Sequence, residues 1–488
     1  MSEIHTANEL CRLSAVELKE RYRSKTLSPV EVMQAVLSRA ERLNPHLNCF
    51  ITICHELALD GARQAEARIM SGQAYPPLTG IPYTAKDLIN TKGIRTTYGA
   101  LPFKDNIPND DALVISRLQK AGAILFAKTT TPEFGTAGLT ESPLFGKTRN
   151  AWSVDRTSGG SSGGAAVAVA SGLGPLALAT DGGGSTRIPA ACNGVVGIKQ
   201  SSGIVPHSQV VDKFGNQTYV TPMTRTVADT ALMLDALAGE DECDPTSIGL
   251  RREDYYGAAT SPADLNGIKI LYCLAPAGLP ISSDVQTNFH NALDALSELG
   301  AQIESFNPSG LNVLATWQVI NHTVWLTRFK ALAEQHPTQF SRTFLEQLES
   351  AKNFSAIDYQ EAMIARSQLY ARVQALVKPD HFLAMPTLSR TALPIDTDFL
   401  GSFEVDGQRF EEIRANWYPW TMLFNMTGHP AISLPCGFGQ DGLPTGLHLV
   451  GQYRKDAALL RLAAAFESRQ NLTGLWPTEA DFVSTQLG

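Results

Sequence analysis

Apolar residues recur three and four positions apart through the first 45 residues, most regularly in VEVMQAVLSRAERL from Val30 to Leu43, and this predicts amphipathic helices. Two helix starts carry capping boxes, Ser14 with Glu17 and Ser28 with Glu31, and Pro29 takes the favoured first helical position. These helices are expected on the outside of the fold. Residues 80–89, GIPYTAKDLI, read as a short strand and turn. Over 110–130 a helix, ALVISRLQKAG capped by Asp110 or Asp111, precedes a strand, AILFAKT. GGAAVAVASG (163–172) predicts a helix of small residues, PLALAT (175–180) a buried strand, and RTVADTALMLDALAG (225–239) a further apolar helix. Alternating strands and helices of this kind predict an α/β fold with a largely buried sheet. Residues 250–380 change character: a strand at 268–273, a helix at 284–299, then mostly helical, polar sequence to 377. Strand-like runs return at 382–385 and 431–434, and a last helix covers 456–468. No internal repeat or low-complexity linker is visible. Residues 1–488 therefore read as a single domain, with 250–380 a mostly helical insert within it.

Composition narrows the function classes. The 488 residues are 43% hydrophobic and 18% charged, enough apolar material for a large core. A net charge of −8 with no Lys/Arg block excludes a nucleic-acid partner, which would need a concentrated basic face. Seven cysteines without a CxxC fit reduced thiols, and no Cys/His set has metal-ligand spacing. The start MSEIHTANELCRLS has neither a basic n-region nor an apolar h-region, so no signal peptide is expected. The most apolar stretch, Ala165 to Thr180, is broken by Gly172, Gly174 and Pro175, too short a run to span a bilayer. A cytoplasmic protein without a membrane partner is expected.

The candidate chemistry lies in 156–189, RTSGGSSGGAAVAVASGLGPLALATDGGGSTRIP. A flexible linker joins domains, whereas this glycine-rich run leads directly into two buried-looking elements. Gly159-Gly160-Ser161-Ser162-Gly163 satisfies G-x-S-x-G, but a nucleophile elbow needs a preceding strand, and NAWSVDRTS is polar and turn-rich. Two serines taken together read better. Ser161 sits at the glycine-rich helix start, and Ser185, 24 residues later, follows Thr180, Asp181 and three glycines. Gly182, Gly183 and Gly184 leave backbone N–H groups unshielded, as in an anion-binding nest or an oxyanion hole. A serine nucleophile needs a base. None of the ten histidines lies in this segment, and the nearest, His207, reads as a surface or core residue. Lys86, between apolar residues of a predicted strand, is the candidate, because desolvation lowers a lysine pKa towards neutrality. Taken alone, Lys86 reads as a solvated side chain.

Further motifs supply context. GIPxxxKD at 80–87, GGSSGG at 159–164, TDGGGSTRIPA at 180–190 and Gly194-x-x-Gly197-x-Lys199 occur in this order. PEFG (132–135), PLFGKTRNAW (143–152), TPMTRTVAD (221–229) and FNMTGHPAISLPCG (424–437) accompany them. Together they resemble the amidase signature family, over about residues 10–240 and 380–470 and only weakly between 250 and 380. The resemblance implies a large mixed central β-sheet covered by helices on both faces. It implies a Ser-cisSer-Lys triad of Ser185 as nucleophile, Ser161 as bridging hydroxyl after a cis Gly160–Ser161 bond, and Lys86 as base. The oxyanion donors would be the amides of Gly182, Gly183, Gly184 and Ser185, with no metal and no cofactor. By the same resemblance, residues 131–138 form pocket wall, which makes Phe134 and Gly135 substrate-binding residues beside Thr180. Asp181 would orient the loop and Arg187 anchor it, whereas Ser162 and Lys199 read as structural and Cys192 and Cys436 as small buried apolar residues. Two departures stand out: Ser185-Thr186-Arg187 replaces the commoner Ser-Ile-Arg, and Ile188 stands where the glutaminase-type component of glutamyl-tRNA amidotransferase often has a residue such as Gln.

The expected reaction is cleavage of carboxylic amides, aryl acylamides included, with esters and carbamates or urethanes as further substrates, through an acyl-enzyme on Ser185. The expected partner is a small-molecule amide, and the expected state a monomer or homodimer. The alternative is the glutaminase-type component of an amidotransferase, supplying ammonia to a partner. Intact Lys86, Ser161 and Ser185 argue against a silent homologue. The aromatic stretch from Trp417 to Phe424 reads as core packing or as a wall for a bulky acyl group.

Overall fold

The computed structural model describes residues 6–261, 264–276, 278–470 and 472–482. Eleven strands form its central sheet. In chain order they are β1 (Phe50–Ile53), β2 (Pro82–Lys86), β3 (Ile124–Thr129), β4 (Leu176–Asp181), β5 (Val196–Lys199), β6 (Tyr219–Thr224), β7 (Lys269–Tyr272), β8 (Gln302–Ser305), β9 (His381–Pro386), β10 (Ala431–Phe438) and β11 (Pro444–Val450). They lie side by side as β1-β3-β2-β4-β6-β5-β10-β11-β9-β7-β8. β2 pairs in parallel with both β3 and β4, whereas β4, β6, β5, β10, β11 and β9 run antiparallel to their successive neighbours. The sheet is therefore mixed, with helices on both faces.

Most sequence-predicted elements appear where the pattern puts them. Both capping boxes form, at Ser14 and Ser28, and the Ser28 helix runs to Leu47 with one face in the core. Helix 163–170 is buried on every side, as an all-apolar helix of Gly, Ala and Val demands. It fits because Gly164 has no side chain: a Cβ there would come within 2.4 Å of Thr130 Oγ1.

Two expectations fail. The helix at Leu113–Lys120 starts from Ala112 without a side-chain cap, and Asp111 instead accepts the Lys92 N–H at 2.7 Å. Strand β8, QIES, escaped detection because it is a polar, partly exposed edge strand with little alternation. Residues 314–376 carry three helices, Leu314–Gln335, Arg342–Ala351 and Ala356–Leu376. An aromatic cluster of Phe134, Phe329, Phe340 and Phe344 joins this region to the PEFG segment, with Phe134 and Phe329 stacked at 4.1 Å. Trp417, Trp420 and Phe424 of the aromatic stretch are buried in the second core cluster, and Tyr418 of the same stretch also faces a cavity. Among the described residues no helix is long and apolar enough to cross a membrane.

Candidate active site

Lys86 ends β2, and Thr180 and Asp181 end the adjacent parallel strand β4. Carboxyl ends of neighbouring strands are where open α/β sheets bind ligands. The loop after β4 carries Gly182 to Ser185, and Ser161 stands just before helix 163–170. The Gly160–Ser161 peptide is cis. The Ser162 N–H donates to the Ser185 carbonyl at 3.1 Å, which ties the two serine segments together.

Lys86 is fully buried, and its Nζ lies 2.6 Å from Ser161 Oγ and 2.9 Å from both Ser162 Oγ and Thr180 Oγ1. Burial holds this amine well below the ordinary lysine range, against an opposing pull from the Asp181 carboxylate. Ser162 donates its own hydroxyl proton to the Thr180 carbonyl at 3.1 Å, so towards Lys86 it is an acceptor. A neutral amine with its two N–H groups on Ser162 and Thr180 has its lone pair left for Ser161. Ser162, which reads from sequence as structural, is thus a direct partner of Lys86.

Ser185 is half-buried and lines the same cavity as Ser161. Among the described residues no hydrogen bond joins the two hydroxyls. Catalytic hydrogen bonds commonly tighten only when substrate is bound.

The glycine loop is held from behind. Asp181 and Arg187 are both completely buried and pair twice, Nε–Oδ2 at 3.0 Å and Nη2–Oδ1 at 2.9 Å. Burial opposes the Asp181 charge, but Arg187, Asn425 and the Gly184 N–H outweigh it and hold the carboxyl well below the usual range. Arg187 also donates to Asn425 Oδ1 at 2.6 Å and meets His448 Nε2 at 3.1 Å. Gly184, at φ +121°, gives its N–H to Asp181 Oδ1 at 2.7 Å, so of the expected oxyanion donors this amide is already engaged. Among the described residues the amides of Gly182, Gly183 and Ser185 have no protein acceptor. The carbonyls of Gly182 and Gly183 accept from Trp317 Nε1 at 3.1 Å and Thr421 Oγ1 at 2.7 Å.

The cavity in front measures about 210 Å³ and is lined by Phe134, Gly135, Thr180, Gly182, Gly183 and Ser185 together with Trp317, Arg414 and Tyr418. His207 lines it too, with burial pushing its imidazole down to about 4. Lys199 lies elsewhere, over the Tyr219 ring and donating to the Gln200 carbonyl at 2.9 Å. Cys192 and Cys436 are buried free thiols. Trp317, Thr421, Asn425 and Arg414 escaped sequence reasoning. The first lies in the region without motif, and the others sit in the 414–425 stretch, where aromatic packing dominates the pattern.

The Amidase family profile matches residues 31–460. The chain belongs to the amidase family. An acylamidase from Rhodococcus erythropolis is 36% identical over 465 residues, covering 95% of this chain and 96% of that protein. A glutamyl-tRNA(Gln) amidotransferase component from Carboxydothermus hydrogenoformans is 33% identical over 492 residues, covering 94% and 97%. Among solved structures, a bacterial aryl acylamidase of the amidase signature family superposes with a TM-score of 0.85 at 28% identity, covering 96% of this chain and 97% of that one. This amidase is an amide-cleaving hydrolase with the large mixed sheet of that fold.

Proposed function

We propose that this amidase works through an acyl-enzyme on Ser185, with Ser161 as relay and Lys86 as base, on small acylamides, aryl acylamides among them. The observation that carries the reading is a fully buried lysine whose Nζ lies 2.6 Å from Ser161, beside a serine that shares its cavity with three unclaimed backbone amides. Neutral Lys86 takes the Ser161 proton as Ser161 takes that of Ser185. Ser185 Oγ attacks the amide carbonyl, and the oxyanion forms against the Gly182, Gly183 and Ser185 amides. Gly184 serves by fixing the loop through Asp181. Collapse of the tetrahedral intermediate breaks the C–N bond, and the relay returns the proton to the leaving nitrogen. Water then attacks the ester by the same relay, releasing the acid and restoring Ser185.

Phe134, Gly135 and Thr180 line the substrate side in this reading. Residues 250–380 contribute pocket wall to a single domain, supported by Trp317 from that region meeting the glycine loop. Esters and carbamates fit the same chemistry. The glutaminase-type reading draws on the amidotransferase relatives, and the expected state is a cytoplasmic monomer or homodimer. The test is Ser185→Ala with acetanilide, butyramide, glutamine and a phenyl carbamate. Wild type should hydrolyse the anilide faster than butyramide, and the variant should fold normally without turnover or acyl-enzyme in a mass spectrum. Acylation retained in the variant would disprove the assignment.

A further inference from the structure

The cavity carries cationic charge that nothing in the reaction scheme uses. Arg414 is 9% exposed and lines the cavity wall. Its Nη2 donates to Gln347 Oε1 at 2.7 Å and to the Thr136 carbonyl at 3.3 Å, both neutral acceptors. Its guanidinium carbon lies 4.4 Å from the Trp317 ring centroid and 5.1 Å from that of Phe399. Among the described residues no carboxylate stands within ion-pair distance of Arg414, the Glu412 carboxylate acting on it only from farther off, and its Nε and Nη1 have no acceptor. A guanidinium cannot shed its charge at neutral pH, so a buried one without a counter-charge is held at a cost.

A second, independent feature lies beside it. Tyr418 is 1% exposed, lines the same cavity, and its hydroxyl has no hydrogen-bond partner. That hydroxyl lies against Gly138, where a Cβ would stand 2.9 Å away. Buried hydroxyls ordinarily find partners. Towards the cavity mouth Arg328 adds another guanidinium without an acidic partner among the described residues. Against these stands one lining carboxylate, Asp212 on the exposed rim, whose Oδ1 already accepts the N–H groups of Phe214 and Gly215 at 3.1 and 2.9 Å. His207 stays neutral, so it neither adds to nor balances this charge.

We infer that Arg414 and Tyr418 form a carboxylate subsite, and that the preferred substrates are amides bearing a carboxylate on the acyl or the amine portion. The proposal rests on the amidase reading above. Arg414 offers two separate charged donors, Nε–H and Nη1–H, its Nη2 being taken, and Tyr418 adds a hydroxyl; Trp317 packs against both Arg414 and the glycine loop and so links the subsite to the reacting end of the cavity. Arg328 at the mouth attracts the same charge on approach.

Matched pairs test it: acetanilide against 4-acetamidobenzoate places the carboxylate on the amine portion, and butyranilide against N-phenylsuccinamate places it on the acyl portion. In wild type, kcat/KM should favour the carboxylate member of at least one pair by tenfold or more, and the pair identifies the side. Arg414→Gln should erase that preference and Arg414→Lys retain part of it, with Tyr418→Phe intermediate. Equal or better turnover of both neutral members would overturn the subsite while leaving the amidase reading intact. If no pair is turned over, calorimetry on Ser185→Ala decides: 4-acetamidobenzoate binding tighter than acetanilide upholds the subsite while the amidase reading fails. Equal or absent binding overturns the subsite too. Should Arg414→Gln fail to fold, the wild-type preference and the Tyr418→Phe response still decide.

Discussion

Trp317→Phe isolates what aims the oxyanion donors. The carbonyl of Gly182 and the N–H of Gly183 belong to one planar peptide and point in opposite directions. The indole that holds the carbonyl at 3.1 Å therefore turns the N–H towards the cavity. The same ring packs on the loop, since a Cβ on Gly183 would lie 3.0 Å from it. Phenylalanine keeps a ring face for Arg414 and removes the donor. Leaving a carbonyl without its partner costs about 1–3 kcal/mol, and at about 1.36 kcal/mol per tenfold in rate that spans about 5- to 160-fold. Outright loss of one oxyanion donor costs about 100- to 1000-fold, which bounds the effect from above. We expect kcat to fall about 10- to 100-fold with KM changed less than about threefold, because the donor acts on charge that develops after binding. Steady-state kinetics with an anilide should be paired with inhibition by a trifluoromethyl ketone, whose adduct oxygen requires the same N–H. The reasoning is refuted if the folded variant keeps wild-type kcat and wild-type inhibitor affinity.

Two further expectations concern charge. Lys86→Ala should lose most rate near neutral pH and recover part of it at higher pH. Wild-type activity should fall as pH drops through the depressed Lys86 pKa, since only the neutral amine accepts a proton, and a flat profile in the variant would implicate another base. Asp181→Asn breaks a fully buried ion pair and should cost about 3–5 kcal/mol, read as a lowered urea midpoint. Because the folded Asp181 pKa is depressed, its contribution is fully present above about pH 4, the unfolded carboxyl value, and is lost only as pH falls further towards the folded one. A wild-type stability that drops between pH 8 and 6 on account of this pair would contradict it.

The choice of Lys86, Ser161 and Ser185 came from the order of the motifs and the resemblance they carry, since Lys86 taken alone reads as a solvated side chain. Both capping boxes were legible in the residues themselves, each being a contact three residues apart. Contacts between distant segments were not. Nothing local to Trp317 marks it as the partner of Gly182, 135 residues away, and Arg187 gives no hint of Asn425 or His448. The engagement of the Gly184 amide was hidden too, since three successive glycines look alike until Asp181 selects one. The aromatic stretch mixes core residues with Tyr418, and periodicity cannot separate a ring filling space from one facing a cavity.

Lys86 and Thr180 end strands aligned side by side, with Ala85 opposite Leu178 deep in the sheet. The spacing of Lys86 and Thr180 is thus fixed by backbone ladder bonds, whereas Ser161 and Ser185 are set by the loops that carry them. Slipping β2 one residue along β4 would turn Lys86 to the opposite face. No slightly loosened sheet keeps a slightly impaired enzyme, so heat inactivation should track loss of folded protein point for point.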